Sequence, residues 1–425
     1  MPENREILFL PCAAGVEELL AEEVHRIAGS GVELYVRRGG VTAFAELRRA
    51  VELVLLFNLE SRLAQRVLWC VAENAYRDEE DIYELTRRVR WADWITPRQT
   101  LRVDVTAQRS PLRSLKFAAL RVKDAVCDQM RMSAGERPNV DTRHPDLPLV
   151  LHLGEAQLAL YVDTSGEALF KRGWREDAGE APLKETLAAA MLAAAGWSGR
   201  EQDGPLLDPC CGAGTIAIEA AQIACGIAPG AQRRFAFERL LPFRDAETTW
   251  QRLCEAAAAR VHAPLAPLFA SDVSFRMTDF AQRNAERAGV RHAIDFKTAD
   301  ALQRPAPAPS GTLLLNPPYG ERIGAKGSHG GARATTRGSD AAGTPTEFFA
   351  ELATHWKRAY SGWTGWILSP DLKLPSVMRL KESRRVPLWN GPIECRLFRF
   401  DMVAGSARGS SLPGAGGGPK VTGLP

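Results

Sequence analysis

The sequence predicts an α/β protein in which small α+β units precede an open, largely parallel sheet with helices on both faces. Three observations carry that expectation. Between positions 6 and 163, short strand-like runs alternate with amphipathic helical ones. From position 183 the pattern becomes buried strand, turn and helix in repetition, as parallel crossovers require. Asp208, Asp272 and Asn316 stand at or just past the ends of such strands, the edge where open α/β sheets bind ligands.

Taken in order, residues 7–10 read as a strand, 15–27 as a helix and 40–44 as a strand. A helix follows at 51–63, with Leu53, Leu56 and Leu63 on one face. A second unit has a strand at 66–71, a helix at 78–88 and an alternating strand at 100–106. An amphipathic helix then covers 114–132, and 150–163 reads as a strand pair around Gly154. The linker at 166–182 carries Lys171-Arg172-Gly173-Trp174-Arg175. Beyond it come a helix at 183–195, a strand at 205–208, a helix at 215–225, a strand at 268–272 and a helix at 276–288. Strands at 294–297 and 312–315 close the readable series. The Gly/Ala/Ser/Thr-rich stretch 325–345 reads as a surface insertion, and 404–425 as a disordered tail.

A chain of 425 residues suggests two or three domains, and 45% hydrophobic with 25% charged residues is the composition of a soluble globular protein. The net charge of +3 identifies no partner, but its distribution is uneven. Ten Lys/Arg face five Asp/Glu between Arg98 and His144. The first residues lack the basic-then-apolar order of a signal peptide, and no apolar run approaches a membrane span. The eight cysteines include no C-x-x-C pair, and seven scattered histidines add no ligand spacing. A reduced, cytoplasmic protein without a metal or a membrane partner is expected.

The most informative stretch is Asn316-Pro317-Pro318-Tyr319, directly after Leu313-Leu314-Leu315. Two prolines end the strand's pairing and fix the backbone that leaves it. One amide side chain and one backbone carbonyl are then held at the mouth of a sheet beside an aromatic ring. That combination suits a flat ring bearing an exocyclic amine. Upstream, Asp208-Pro209-Cys210-Cys211-Gly212-Ala213-Gly214-Thr215 lies between a buried strand and an Ala-rich helix. Its glycines allow a tight turn and close approach of a ligand to the helix N-terminus. No Gly-Lys-[Ser/Thr] follows, which excludes a phosphate loop, and Asp208 would meet an amine better than a phosphate. Asp272 can accept from the two hydroxyls of a ribose, and Asp300 from an adenine amine.

The order Asp-Pro-x-Cys-Gly-x-Gly-Thr, Ser-Asp, Asp, Asn-Pro-Pro-Tyr-Gly-Glu-Arg resembles a class I S-adenosylmethionine-dependent methyltransferase that acts on amino groups. With residues 182–190, Arg137-Pro138-Asn139-Val140-Asp141 and Asn390-Gly391-Pro392, it resembles the large-subunit ribosomal RNA guanine-N2 methyltransferase L family over roughly residues 5–402. The resemblance implies a ferredoxin-like subdomain at 1–58 and a THUMP RNA-binding domain at 59–165. A Rossmann-like methyltransferase domain would follow at 183–403. It implies S-adenosylmethionine held by Lys184, Glu185, Thr186, Asp208, Cys211, Gly212, Gly214, Thr215, Asp272 and Asp300. Asn316 and Pro317 would hold the guanine N2 amine of 23S ribosomal RNA, naked or in a pre-ribosomal large subunit, with Tyr319 stacked on the base. Candidate RNA contacts are Arg109, Arg113, Lys116 and Lys123, then Arg137 and Asn139, with Arg172 and Trp174 either touching RNA or pinning the domains together. A transfer RNA guanine-N2 methyltransferase shares this layout, a DNA adenine methyltransferase shares only the catalytic turn, and an inactive assembly factor would share the fold alone. The chain departs from many members, in which a second methyltransferase follows, and in the low complexity of its insertion. About sixty residues separate Asp208 from Asp272, far more than a compact unit of this kind needs.

Overall fold

Strand pairing divides the described residues of this computed structural model, 5–179, 182–317 and 345–403, between two sheets. The first sheet is made of β1 (Glu6–Pro11), β2 (Glu33–Arg37), β3 (Gly40–Ala45), β4 (Leu68–Ala75), β5 (Thr100–Ala107), β6 (Asn139–Val140), β7 (Leu147–Leu153) and β8 (Gln157–Asp163). Its helices are α1 (Glu17–Ala28), α2 (Leu47–Glu60), α3 (Glu79–Arg87) and α4 (Leu115–Ala134). The spatial order β2-β3-β1-β4-β8-β7-β5-β6 has a consequence for the two α+β units expected from sequence. Strand β1 lies between β3 and β4, with Ile7 opposite both Phe44 and Cys70, so the two units share one sheet. Leu8 and Leu10 are fully buried there, as a central strand requires. The strands the sequence hid in this half are β6, two residues long, and β2, an edge strand of mostly exposed residues.

The second sheet contains β9 (Leu206–Asp208), β10 (Leu268–Asp272), β11 (Ile294–Thr298), β12 (Gly311–Leu315), β13 (Trp363–Ser369), β14 (Arg384–Asn390) and β15 (Ile393–Asp401). They run in the order β11-β10-β9-β12-β13-β15-β14. The first five are mutually parallel, β15 runs antiparallel to them, and β14, antiparallel to β15, runs in their direction. Helices α5 (Glu185–Ala195), α6 (Thr215–Ala224), α7 (Glu247–Ala259) and α8 (Phe275–Arg287) lie in the chain before β11, and α9 (Pro345–Ala359) and α10 (Leu374–Met378) after β12. Burial on both faces explains the continuous apolar run of β12. Leu314 packs into the core shared with α5, α6 and α8, whereas Leu313 and Leu315 pack with Phe349, Leu352 and Trp356 of α9.

The long separation of Asp208 from Asp272 has a structural role. Residues 225–267 reach across to the first sheet. Phe237 N–H donates to the Thr164 carbonyl at 3.0 Å, Leu241 N–H to the Trp94 carbonyl at 2.9 Å, and Gln99 Nε2 to the Arg239 carbonyl at 2.7 Å. Gly230 donates to the Leu59 carbonyl at 2.9 Å, and a Cβ at this position would stand 2.5 Å from the Asn58 carbonyl oxygen. Only glycine allows that approach. Among the described residues no helix is long and apolar enough to cross a membrane.

Candidate functional site

The C-terminal ends of β9, β10, β11 and β12 gather the acids, glycines and amide singled out in the sequence. After β9 the chain turns on Gly212 (φ 52°) and Gly214 (φ 92°), both in the left-handed region that glycine alone enters without strain. Gly214 caps α6, and a Cβ there would meet the Ala281 Cβ of α8 at 3.0 Å. At Gly212 a Cβ would meet nothing within 4 Å, so this turn faces open space. Cys211 is buried, and its N–H donates to the Ser271 carbonyl at 2.8 Å.

Among the described residues the acids around this turn form no ion pair, and the buried Arg304 offsets the burial of Asp208 only in part. Asp208, 1% exposed, accepts from Cys210 N–H at 3.2 Å, and burial pushes its carboxyl up to about 8. Asp272 accepts from Gly212 N–H at 3.0 Å and Ser274 N–H at 2.9 Å, and burial raises its carboxyl as well. Asp300 accepts from Leu302 N–H at 2.9 Å. Among the described residues, none of the three lies within ion-pair distance of a lysine, arginine or histidine. Asn316 follows β12 in a half-buried position, with its Oδ1 buried and without a hydrogen-bond partner among the described residues, and Pro317 is buried beside it. A buried amide oxygen left unpaired costs about 1–3 kcal/mol unless a ligand donates to it. Pro318, Tyr319 and nearly all of the 325–345 insertion lie outside the described residues, as does the tail from Ala404.

The residues before the sheet play a part the sequence did not indicate. Glu185 is 2% exposed and taken by Arg175 Nε at 2.7 Å, so its carboxylate supports the loop from behind. The same guanidinium donates to Thr215 Oγ1 at 2.8 Å and the Leu183 carbonyl at 3.2 Å. Thr186 is buried, whereas Lys184 is exposed with its ammonium 5.1 Å from the Phe170 ring centroid. Asn284 of α8 donates to the Ala213 carbonyl at 3.0 Å, fixing the turn from the other side. Arg304 is 4% exposed and donates to the Ala270 carbonyl at 3.1 Å, one strand from Asp208. Arg175 stood in a motif that read only as linker, and neither Asn284 nor Arg304 carried any sequence signal.

Of the candidate RNA contacts, Arg109, Arg113 and Lys116 are exposed around the start of α4, beside exposed Leu115, Phe117 and Leu120. Lys123 is partly buried and pairs with Asp124 at 2.6 Å. Arg137 and Asn139 are exposed after α4, where the chain folds back so that the Pro138 carbonyl lies 3.8 Å from Cys127 Sγ, one helical turn from Lys123. Arg172 and Trp174 are corrected outright as RNA contacts, because they are 2% and 1% exposed. Arg172 is consumed by Glu219 and by the Leu169 and Arg62 carbonyls, so these linker residues pin the two halves together. The described residues contain no cluster of three or more metal-ligating side chains.

Three family models match the chain in order. They are the RlmL ferredoxin-like domain over residues 7–68, the THUMP domain over 76–163 and the RMKL-like methyltransferase domain over 172–333. A ribosomal RNA large subunit methyltransferase K/L of Shewanella amazonensis is 34% identical over 407 residues, covering 94% of this chain and 54% of that protein. The chain thus spans about half the length of the curated relatives it matches. Among solved structures, the SMU.472 protein complexed with SAH matches with a TM-score of 0.78 and 26% identity, over 94% of this chain and 98% of that one. A Listeria monocytogenes protein named a predicted N6-adenine-specific DNA methylase matches with a TM-score of 0.76 and 25% identity, over 93% and 96%.

Proposed function

From the premise that this chain belongs with the proteins built of RlmL ferredoxin-like, THUMP and RMKL-like methyltransferase domains, we propose that it methylates the exocyclic N2 amine of a guanine in large-subunit ribosomal RNA. S-adenosylmethionine is the proposed methyl donor and the cytoplasm the proposed location. The observation that carries the reading is the unpartnered Asn316 Oδ1 at the end of β12, beside the glycine turn of β9.

The donor set fits such a cofactor. Asp208 and Asp272 are buried acids that form no ion pair among the described residues, and Gly212 faces open space between them in sequence. In this reading Asp208 serves the amino group of the donor, Asp272 its ribose hydroxyls and Asp300 its adenine amine. Bound there, the sulfonium supplies an electrophilic methyl group. The chain's own contribution is to orient the nucleophile. A guanine N2 lone pair is delocalised into the ring, and two acceptors, Asn316 Oδ1 and the Pro317 carbonyl, would hold the amine's two protons. As nitrogen attacks, those protons become acidic, so the same acceptors match the transition state better than the substrate. Positioning then dominates, and no side chain is needed as a strong base. Tyr319 is the proposed stacking partner of the base. Arg109, Arg113 and Lys116 are proposed to meet phosphates, with Arg137 and Asn139 as a second contact.

The test uses ribosomal RNA from cells lacking the gene. The wild-type protein should restore one N2-methylguanosine, read by mass spectrometry of nuclease digests. Asn316→Ala should abolish the transfer while RNA affinity stays within a few-fold. Appearance of N6-methyladenosine would instead favour the activity in the Listeria protein's name, and modification of transfer RNA alone would move the substrate.

A further inference from the structure

One carboxylate that this chemistry does not use is buried just inside the helix that follows the glycine turn. Glu219 of α6 is 0% exposed and meets guanidinium groups from two directions. Arg172 Nε of the linker lies at 3.0 Å, and Arg62 Nη1, from the turn after α2, at 3.1 Å. Arg62 also donates to the Ile227 carbonyl, while its own N–H donates to Glu23 Oε1 of α1 at 2.9 Å. Its carbonyl accepts from Arg172 Nη2 at 2.8 Å. Two acids and two arginines thus alternate from α1, across the seam between the sheets, into α6. Buried pairs of this kind add little net stability over an apolar contact, and fixing the register of elements is their best-attested use.

Thr215 stands four residues before Glu219 on the same face of α6. Arg172 holds position 219 and Arg175 holds position 215, so the linker runs antiparallel along the first turns of this helix. The helix N-terminus, and with it the glycine turn, is therefore located by contacts that begin in the N-terminal half.

We propose that Arg62 and Glu219 are positioning residues that set the glycine turn from the N-terminal sheet, so the donor site is complete only when that sheet is seated. The proposal rests on reading the turn as the donor site. Calorimetric titration of the full chain with S-adenosylhomocysteine tests both. Arg62→Met should bind it about tenfold more weakly, a coupling of ordinary size. Arg62→Lys, which keeps the charge, should recover part of the affinity. Arg260→Met removes another ion pair of the same seam, with Glu60, at a more exposed site by the C-terminal end of α6, the end away from the glycine turn, and should leave affinity within twofold. Equal weakening in Arg62→Met and Arg260→Met, weakening in Arg260→Met alone, or weakening in neither overturns the proposal. Absence of binding by the wild type overturns the donor-site reading itself. Melting temperatures identify a variant that fails to fold, in which case Arg62→Lys against Arg260→Met decides by the same criterion.

Discussion

The seam between the two sheets and the ligand edge of the second sheet both bury charge, in opposite ways. In the seam, Glu219 is shared by Arg62 and Arg172, and Glu23 accepts from Ser61 Oγ and from two main-chain N–H groups. At the edge, among the described residues, Asp208 and Asp272 accept only from backbone N–H donors, and Asn316 Oδ1 accepts from none. Charge that is paired internally holds elements in register. A buried acid that forms no ion pair is poised for a ligand, and its perturbed titration marks the place.

The largest expected effect lies in the seam. Glu219→Ala leaves the 2%-exposed Arg172 without its counter-ion, and breaking a buried pair in this way costs about 3–5 kcal/mol. Denaturant midpoints would measure it, and the double variant Glu219→Met with Arg172→Met should regain much of the loss. If Glu219→Ala costs no more than an exposed substitution, the contrast between seam and edge fails.

At the edge the sign reverses. Burial pushes the Asp208 carboxyl up to about 8 from its ordinary 3.8, so the unfolded chain releases this proton at lower pH than the folded one. Its stability contribution is present below about pH 3.8 and is lost as pH rises toward about 8. Asp208→Asn removes that loss, and the amide oxygen can still accept from Cys210 N–H. The ligand-free variant should therefore be more stable than wild type above pH 8, by on the order of 1 kcal/mol or more, and equal to it near pH 4. Thermal melts across that range check the sign. A variant less stable at pH 8 would mean that Asp208 already has a counter-charge.

What the sequence revealed follows the same division. Asp208, Asp272, Asp300 and Asn316 were legible because each stands in a local pattern of strand, then turn, and the topology of a parallel sheet brings all four to one edge. The seam was illegible because its partners are far apart in the chain. Arg62 and Glu219 are 157 residues apart, and each alone reads as a solvated charge on a helix end or face. Arg172 and Trp174 stayed open between RNA contact and domain pinning for the same reason: a basic-aromatic linker fits both until burial shows it enclosed. Strands β13, β14 and β15 were missed beyond the low-complexity insertion, where Arg384, Arg385, Glu394 and Arg396 interrupt the apolar alternation. The union of the first two units into one sheet depends on the long-range pairing of β1 with β4, which no local pattern encodes.

The smallest effect gives the finest test of the edge. Below about pH 8 the buried Asp208 is mostly protonated in the ligand-free protein. An ammonium group arriving beside it favours the charged carboxylate, as an opposite charge within a few ångströms does. Binding at pH 7 should then release up to one proton per site from Asp208. Titration of S-adenosylhomocysteine in buffers of different ionisation enthalpy reports that release as a buffer-dependent heat. The wild type should show it, with the release shrinking as pH passes above 8, and Asp208→Asn should show a smaller release throughout. Identical buffer dependence in the two proteins would remove Asp208 from the ligand's charge. It would leave Asp208, like Glu219, as part of the framework.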